Sequence, residues 1–97
     1  MALRIIWSPR AIAHLEGVCN YIAKDSEKYA SIFAANILFI VKQLSKFPQH
    51  GRMVPEYGNP DLREKIYGSY RIVYRIKRQS LEVAAICHCK RPRSRLE

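Results

Sequence analysis

The apolar residues of this chain change their period at Pro48, and that switch constrains the fold more than any other feature. Before it, Ile12, Leu15, Cys19 and Ile22 recur at spacings of three or four, as do Tyr29, Phe33, Ile37, Ile40, Leu44 and Phe47. That spacing lines one face of an α-helix. Ser8-Pro9 begins the first helix: serine caps the free N–H groups, and proline at the first helical position lacks an N–H that would be orphaned there. The pattern predicts a helix over about 9–24. Asp25-Ser26 opens the second, with Glu27 at the positive end of its dipole. Pro48 stops it. The second helix, 26–46, should be about 30 Å long at ~1.5 Å per residue. A joint of one or two residues forces the pair into an antiparallel hairpin.

Beyond Pro48 the pattern shortens to alternation. Residues 48–61 hold three of the five prolines and two of the four glycines; so long a loop in a small domain is functional or pinned to the surface. Residues 62–67, 70–77 and 81–89 read as strands, with turns at Gly68-Ser69 and Gln79-Ser80. Links this short make an antiparallel meander. Residues 3–7, Leu-Arg-Ile-Ile-Trp, read as a further strand. The expected order is β-α-α-β-β-β, an α+β fold with a helical hairpin packed on one face of the meander. Ninety-seven residues leave room for one core, so residues 1–97 are read as a single domain, with 90–97 a mobile basic tail.

Alternation sorts strand residues by face. In 70–77, Tyr70, Ile72, Tyr74 and Ile76 share the side that must meet the helices. Arg71, Val73, Arg75 and Lys77 share the other, a cationic row with alternate side chains about 6.6 Å apart. Arg63 and Lys65 alternate with Leu62, Glu64 and Ile66 and can join the basic face. In the last strand Leu81, Val83, Ala85 and Cys87 read as core, which leaves Glu82, His88 and Lys90 on the open side. Trp7, Tyr70 and Tyr74 read as core rather than as a base-stacking platform.

The formal net charge of +9 implies a polyanionic partner, nucleic acid or an acidic protein. The charge is uneven: residues 61–97 carry ten Lys/Arg against four Asp/Glu, and residues 1–60 carry seven against four. No run approaches the ~18 apolar residues of a membrane span, and the first residues are too soon interrupted for a secretory signal. Three cysteines cannot complete a disulfide framework. A cytoplasmic protein with reduced thiols is expected, with no membrane partner and no cofactor.

Arg63, Lys65, Arg71, Arg75, Lys90 and Arg91 are the candidate anion- or target-binding residues. Arginines clamp phosphate bidentately, and histidine titrates near neutral pH and can move a proton. Arg71, Arg75, His88 and Arg91 are thus the constellation that could cleave RNA, the imidazole moving a proton and the guanidiniums stabilising charge on the phosphate. The competing reading makes Arg71 and Arg75 partners of Glu64 and Glu82. Arg52 and Glu56 read as ties from the long loop to the sheet, and Glu64, in phase with Leu62 and Ile66, as a partly buried partner of an arginine. Cys87-His88-Cys89 is a poor metal motif: neighbouring strand residues point to opposite faces, and structural zinc takes four ligands. Cys19 lies on a helical apolar stripe, and His14 and His50 read as surface residues.

Pro48, Gly51-Arg52, Val54-Pro55-Glu56, Leu62-Arg63-Glu64 and Tyr70-Arg71-Ile72-Val73-Tyr74-Arg75, in this order and spacing, resemble the signature of the ParE/RelE superfamily of toxin–antitoxin toxins. Trp7-Ser8-Pro9, Tyr21-Ile22-Ala23, His88 and Arg91 extend the resemblance over nearly the whole chain. It implies a toxin paired with an antitoxin whose disordered, usually acidic tail folds on binding, wraps the hairpin and sheet, and neutralises it. The RelE-type branch cleaves mRNA on ribosomes with an arginine of the "YR" strand, a later basic residue and often a C-terminal tyrosine or histidine. Arg71 and Arg91 match the first two; no tyrosine follows position 74, which leaves His88. The ParE-type branch poisons DNA gyrase without a nuclease site. "GR-x-VPE" and "LRE" are more similar to ParE-type and plasmid-stabilisation proteins, so the implied function is gyrase inhibition, with the mRNA interferase as the alternative and an inactive antitoxin-binding domain as a third.

Overall fold

A computed structural model describes residues 2–89. Strand β1 (Arg4–Trp7) leads into helices α1 (Pro9–Ala23) and α2 (Glu27–Lys46). A 3-10 turn (Pro48–His50) and a two-residue strand β2 (Arg52–Met53) follow. Then come β3 (Leu62–Tyr67), β4 (Tyr70–Ile76) and β5 (Ser80–His88). The five strands form one sheet in the order β1-β5-β4-β3-β2. Strands β2 to β5 are antiparallel neighbours, and β1 returns to pair in parallel with β5. The expected β-α-α-β-β-β order is present, with β2 as an addition.

The helix starts are those the caps dictate. Ser8 accepts from the Ala11 amide at 3.0 Å with Pro9 at the first helical position. Ser26 accepts from the Tyr29 amide at 3.1 Å, Glu27 sits in the first turn of α2 and Lys46 in the last, each on the side of the dipole that favours it. The Asp25 and Ser26 amides both donate to the Ile22 carbonyl, which closes the joint between the helices. The β3–β4 turn places Gly68 at a φ of 58°, a left-handed conformation that glycine adopts without a Cβ clash.

Helix α1 packs on β5, and α2 on β1 and β5. The main core joins Ala11 of α1, Phe33, Ile37, Val41 and Leu44 of α2, and Ile72, Tyr74, Leu81, Val83 and Ile86 of the sheet. Tyr70 and Ile76 pack against it, so the helix-side set of β4 is the one alternation predicts. Trp7 joins the same core. The ends of the α2 stripe depart from expectation: Tyr29 and Phe47 are exposed, as is Ile12 of α1. Tyr29 lies in the first turn of α2 and Phe47 one residue past its end.

Three face assignments are corrected. The side of the sheet turned from the helices is not bare: Val54, Leu62, Val73 and Ala85 form a second core there, with Tyr57 and Cys87 against it. The loop between β2 and β3 folds back to cover the middle of the cationic row. Arg63 and Lys65 oppose Tyr74 and Ile72 in register, so they lie on the helix side, while Leu62, Glu64 and Ile66 share a face with Arg71, Val73 and Arg75. The pairing of β4 with β5 also slips by one residue between Val73 and Tyr74, opposite an extra residue, Ala84. A bulge inserts an unpaired residue and reverses the phase beyond it. Leu81 and Val83 face the helices as expected, but beyond the bulge Ile86 and His88 face them and Ala85 and Cys87 do not.

Candidate functional site

The face opposite the helices is organised around Glu64. Its carboxylate is buried, with 1% of the residue exposed. Arg52, from β2, donates Nε to Glu64 Oε2 at 2.7 Å and brings Nη2 to the same oxygen at 2.7 Å. Arg71 brings Nη1 to Oε1 at 3.5 Å and donates Nη2 to the Cys89 carbonyl. Arg71 is itself buried, at 5% exposure. A buried charge persists when it is paired and hydrogen-bonded, and here one carboxylate answers one buried and one exposed guanidinium. The reading of Glu64 as a buried partner of arginine holds, and Arg52 ties the end of the loop to the sheet.

The loop is held from below as well. Arg63 donates Nε to the Pro60 carbonyl at 2.8 Å and Nη1 to the Gly51 carbonyl at 2.9 Å. The Asp61 amide donates to Asn59 Oδ1 at 2.9 Å, an Asx-type turn that fixes the entry to β3. Tyr74, fully buried, reaches under the loop and donates its hydroxyl to the Pro48 carbonyl at 2.5 Å. Burial pushes the Tyr74 phenol above its ordinary value, against the smaller opposing effects of the Gly51 amide and the Arg63 charge.

Of the residues singled out from the sequence, Arg71 and Arg75 share a face, but only Arg75 is exposed. His88 pairs in register with Tyr70, its ring 5.3 Å from the Tyr70 ring in an edge contact. Tyr70 in turn meets Phe33 of α2 at 5.4 Å. His88 therefore lies on the helix side and Arg71 on the other, and the sheet separates them. Lys65 is half-buried on the helix side of β3. Lys90 and Arg91 lie outside the described residues. Glu82 pairs with Lys77 at 3.5 Å, not with Arg75.

His14 is not a simple surface residue: its Nδ1 accepts the Ile86 amide at 3.2 Å, while Ser8 Oγ donates to the Ala84 carbonyl at 3.1 Å. The cap residue of α1 and a side chain within it thus answer the Ala84 carbonyl and the Ile86 amide beside the bulge. His50 is exposed and stacks on Phe47 with ring centres 5.5 Å apart. Cys19, Cys87 and Cys89 are free thiols, and burial raises the pKa of Cys19.

An open cleft of about 540 Å³ lies between the start of α1, the covering loop and the sheet. Arg10, Tyr57, Asn59, Arg75 and Glu82 stand around it over Leu62, Val73, Ala84 and Ala85. Sequence reasoning placed Arg75 on this face and missed the cleft. The adjacent small residues Ala84-Ala85 were the available signal.

Residues 5–93 match the family model described as ParE toxin of type II toxin-antitoxin system, parDE. The chain belongs to the ParE toxin family. Among solved structures, it is similar to one described as the chromosomal ParDE TA system from P. aeruginosa, with a TM-score of 0.73 and 18% identity. The alignment covers 92% of this chain and 98% of that one. At that identity the likeness speaks for the fold. None of the curated proteins is a match. Within this ParE fold, no helix among the described residues is long and apolar enough to cross a membrane.

Proposed function

We propose that this chain is a toxin that acts by binding DNA gyrase, and that a cognate acidic antitoxin, folding as it binds, keeps it silent in a toxin–antitoxin hetero-oligomer in the cytoplasm. The family match over residues 5–93 supports the toxin reading. The observation that carries the choice of mechanism is the separation of Arg71 from His88. General acid–base cleavage needs the proton-moving group and the charge-stabilising group on one reacting centre. Here Arg71 is buried against Glu64 and His88 faces the helices. Binding without bond cleavage needs only an exposed cationic surface, and Arg75 is its candidate among the described residues, with Lys90 and Arg91 the further candidates the sequence offers; Lys65 lies on the other side of the sheet. Arg63 and Arg71 serve to hold the loop and the buried carboxylate.

The antitoxin reading draws on the net charge of +9, which speeds capture of an acidic chain. It also draws on Ile32, Leu38 and Phe39, exposed on α2, apolar surface that a wrapping partner covers. The deciding experiment runs gyrase supercoiling and ribosome-dependent mRNA cleavage side by side on one preparation of the protein. Loss of supercoiling with intact mRNA is expected. Cleaved mRNA with normal supercoiling identifies an mRNA interferase. No effect in either assay, together with normal growth of cells expressing the chain alone, identifies an inactive antitoxin-binding domain.

A further inference from the structure

We infer that the cleft beneath the start of α1 receives one apolar side chain and a neighbouring carboxylate from an acidic peptide. Its volume of about 540 Å³ lies in the ~300–1,000 Å³ range of ligand-binding clefts. Its floor is apolar: Leu62, Val73 and Ala85 are buried members of the second core. Two alanines in succession, one of them the bulged residue, hold the floor low where larger side chains would fill it. An apolar group entering here is removed from water, which is favourable in proportion to its buried area.

The rim selects charge. Arg75 is exposed, and its guanidinium has no hydrogen bond or ion pair among the described residues. Arg10, at the start of α1, also lines the cleft and already has a partner of its own. The first turn of α1 contains no acidic residue, so the positive end of its dipole also favours an incoming anion. The carboxylate already present, Glu82, is engaged by Lys77 at 3.5 Å. An exposed guanidinium and a helix start beside an apolar floor suit a peptide that alternates apolar and acidic residues better than a nucleic acid strand. A strand of nucleic acid is read by an open basic groove with stacking platforms, and this cleft is lined by one aromatic residue, Tyr57.

The inference rests on the proposal of an acidic protein partner, and gives that partner a seat. The same occupant would cover Arg75, so binding here would also remove the exposed cation proposed to meet the target.

The test is an amide-shift NMR titration of the full chain with the probe acetyl-Glu-Leu-Phe-Asp-Glu-amide and its uncharged twin acetyl-Gln-Leu-Phe-Asn-Gln-amide. We expect shifts centred on the amides of Tyr57, Arg75, Ala84 and Ala85. The acidic probe should bind about threefold more tightly, the size one partly exposed ion pair supplies. Arg75→Gln should reduce that preference at least twofold with amide dispersion retained, and Ala84→Leu, which fills the cleft, should weaken both probes. Shifts confined to the helices, equal affinity for the two probes, no shift at all, or tighter binding of a single-stranded pentanucleotide at the same amides would overturn the assignment. If the probe fails while a co-expressed antitoxin still rescues growth, the cleft assignment falls and the partner proposal stands. If the probe binds and the chain alone is harmless to cells, the toxin proposal falls and the cleft stands.

Discussion

The Gly51 amide donates to the hydroxyl of Tyr74 at 3.0 Å, so the turn that leads into β2 is bonded to a fully buried residue of the central strand. A Cβ on residue 51 would run into that hydroxyl and would lie 2.8 Å from the Glu64 carbonyl oxygen. Backbone cannot yield there as a flexible side chain would. Gly51→Ala should therefore destabilise the fold by about 1–3 kcal/mol, the usual cost of overpacking. The urea midpoint of the variant against the parent measures it.

Tyr74 gives the fold an alkaline limit. Its hydroxyl is neutral in the folded chain, and burial holds its pKa above the ordinary value of 10.0. A pKa raised on folding contributes stability that is complete below the unfolded value and is lost as pH climbs through the folded one. Stability should be level with respect to this group up to about pH 10, then decline. Tyr74→Phe should lower stability by about 1–3 kcal/mol at neutral pH, because the Gly51 amide and the Pro48 carbonyl lose a buried partner. It should also flatten the decline above pH 10. Chemical denaturation from pH 8 to pH 11.5, run on both proteins, separates the two effects.

Glu64 and Arg52 are partners of unequal weight. The Arg52 side chain is 59% exposed and that of Glu64 is wholly buried. Arg52→Ala removes a partly screened pair and should cost about 1 kcal/mol or less. Glu64→Ala strands the buried Arg71 guanidinium and should cost about 3–5 kcal/mol. Replacing Glu64 and Arg71 together by methionine should recover most of that loss, since a buried pair exchanged for apolar groups is often neutral. Thermal unfolding of the single and double variants provides the comparison, and equal losses for Arg52→Ala and Glu64→Ala would contradict the arrangement.

Cys19 should be the slow thiol. Burial against the main core raises its pKa, which lowers the thiolate fraction that reacts. At pH 8, modification by iodoacetamide followed by peptide mapping should find Cys19 last to react, and denaturation should abolish its lag.

What the sequence could and could not reveal follows from the range of each interaction. The helices were legible because their signals are local: Ser8-Pro9, Ser26-Glu27 and Pro48 act within one turn of the residues they cap or stop. The observed spans, Pro9–Ala23 and Glu27–Lys46, differ from the expected ones by a residue. The helix-side residues of β4 were legible for the same reason, since Tyr70 to Ile76 alternate without interruption. The face of His88 was not, because one unpaired residue at Ala84 reverses every side chain after it, and nothing within Val83-Ala84-Ala85-Ile86 marks which alanine is extra. Arg71 illustrates the other limit. An arginine in a strand reads as exposed, and its burial here depends on Glu64 of β3 and the Cys89 carbonyl beyond the end of β5. The cleft was hard to foresee for a related reason: Ala84-Ala85 hint at a low floor, but the rest of its lining comes from residues 8–10, 57, 59, 62, 73, 75 and 82, which only the fold assembles.

In the proposed function this ParE-family chain inhibits gyrase by binding through an exposed cationic surface, and the dose–response of gyrase supercoiling against purified parent and Arg75→Ala proteins measures that binding. The parent should leave a relaxed plasmid relaxed, and the variant, folded and with an unchanged unfolding temperature, should need about tenfold more protein for the same effect, the ratio that ~1.4 kcal/mol of lost binding produces. Full supercoiling in the presence of excess parent protein, or equal potency of the two proteins, would contradict the account.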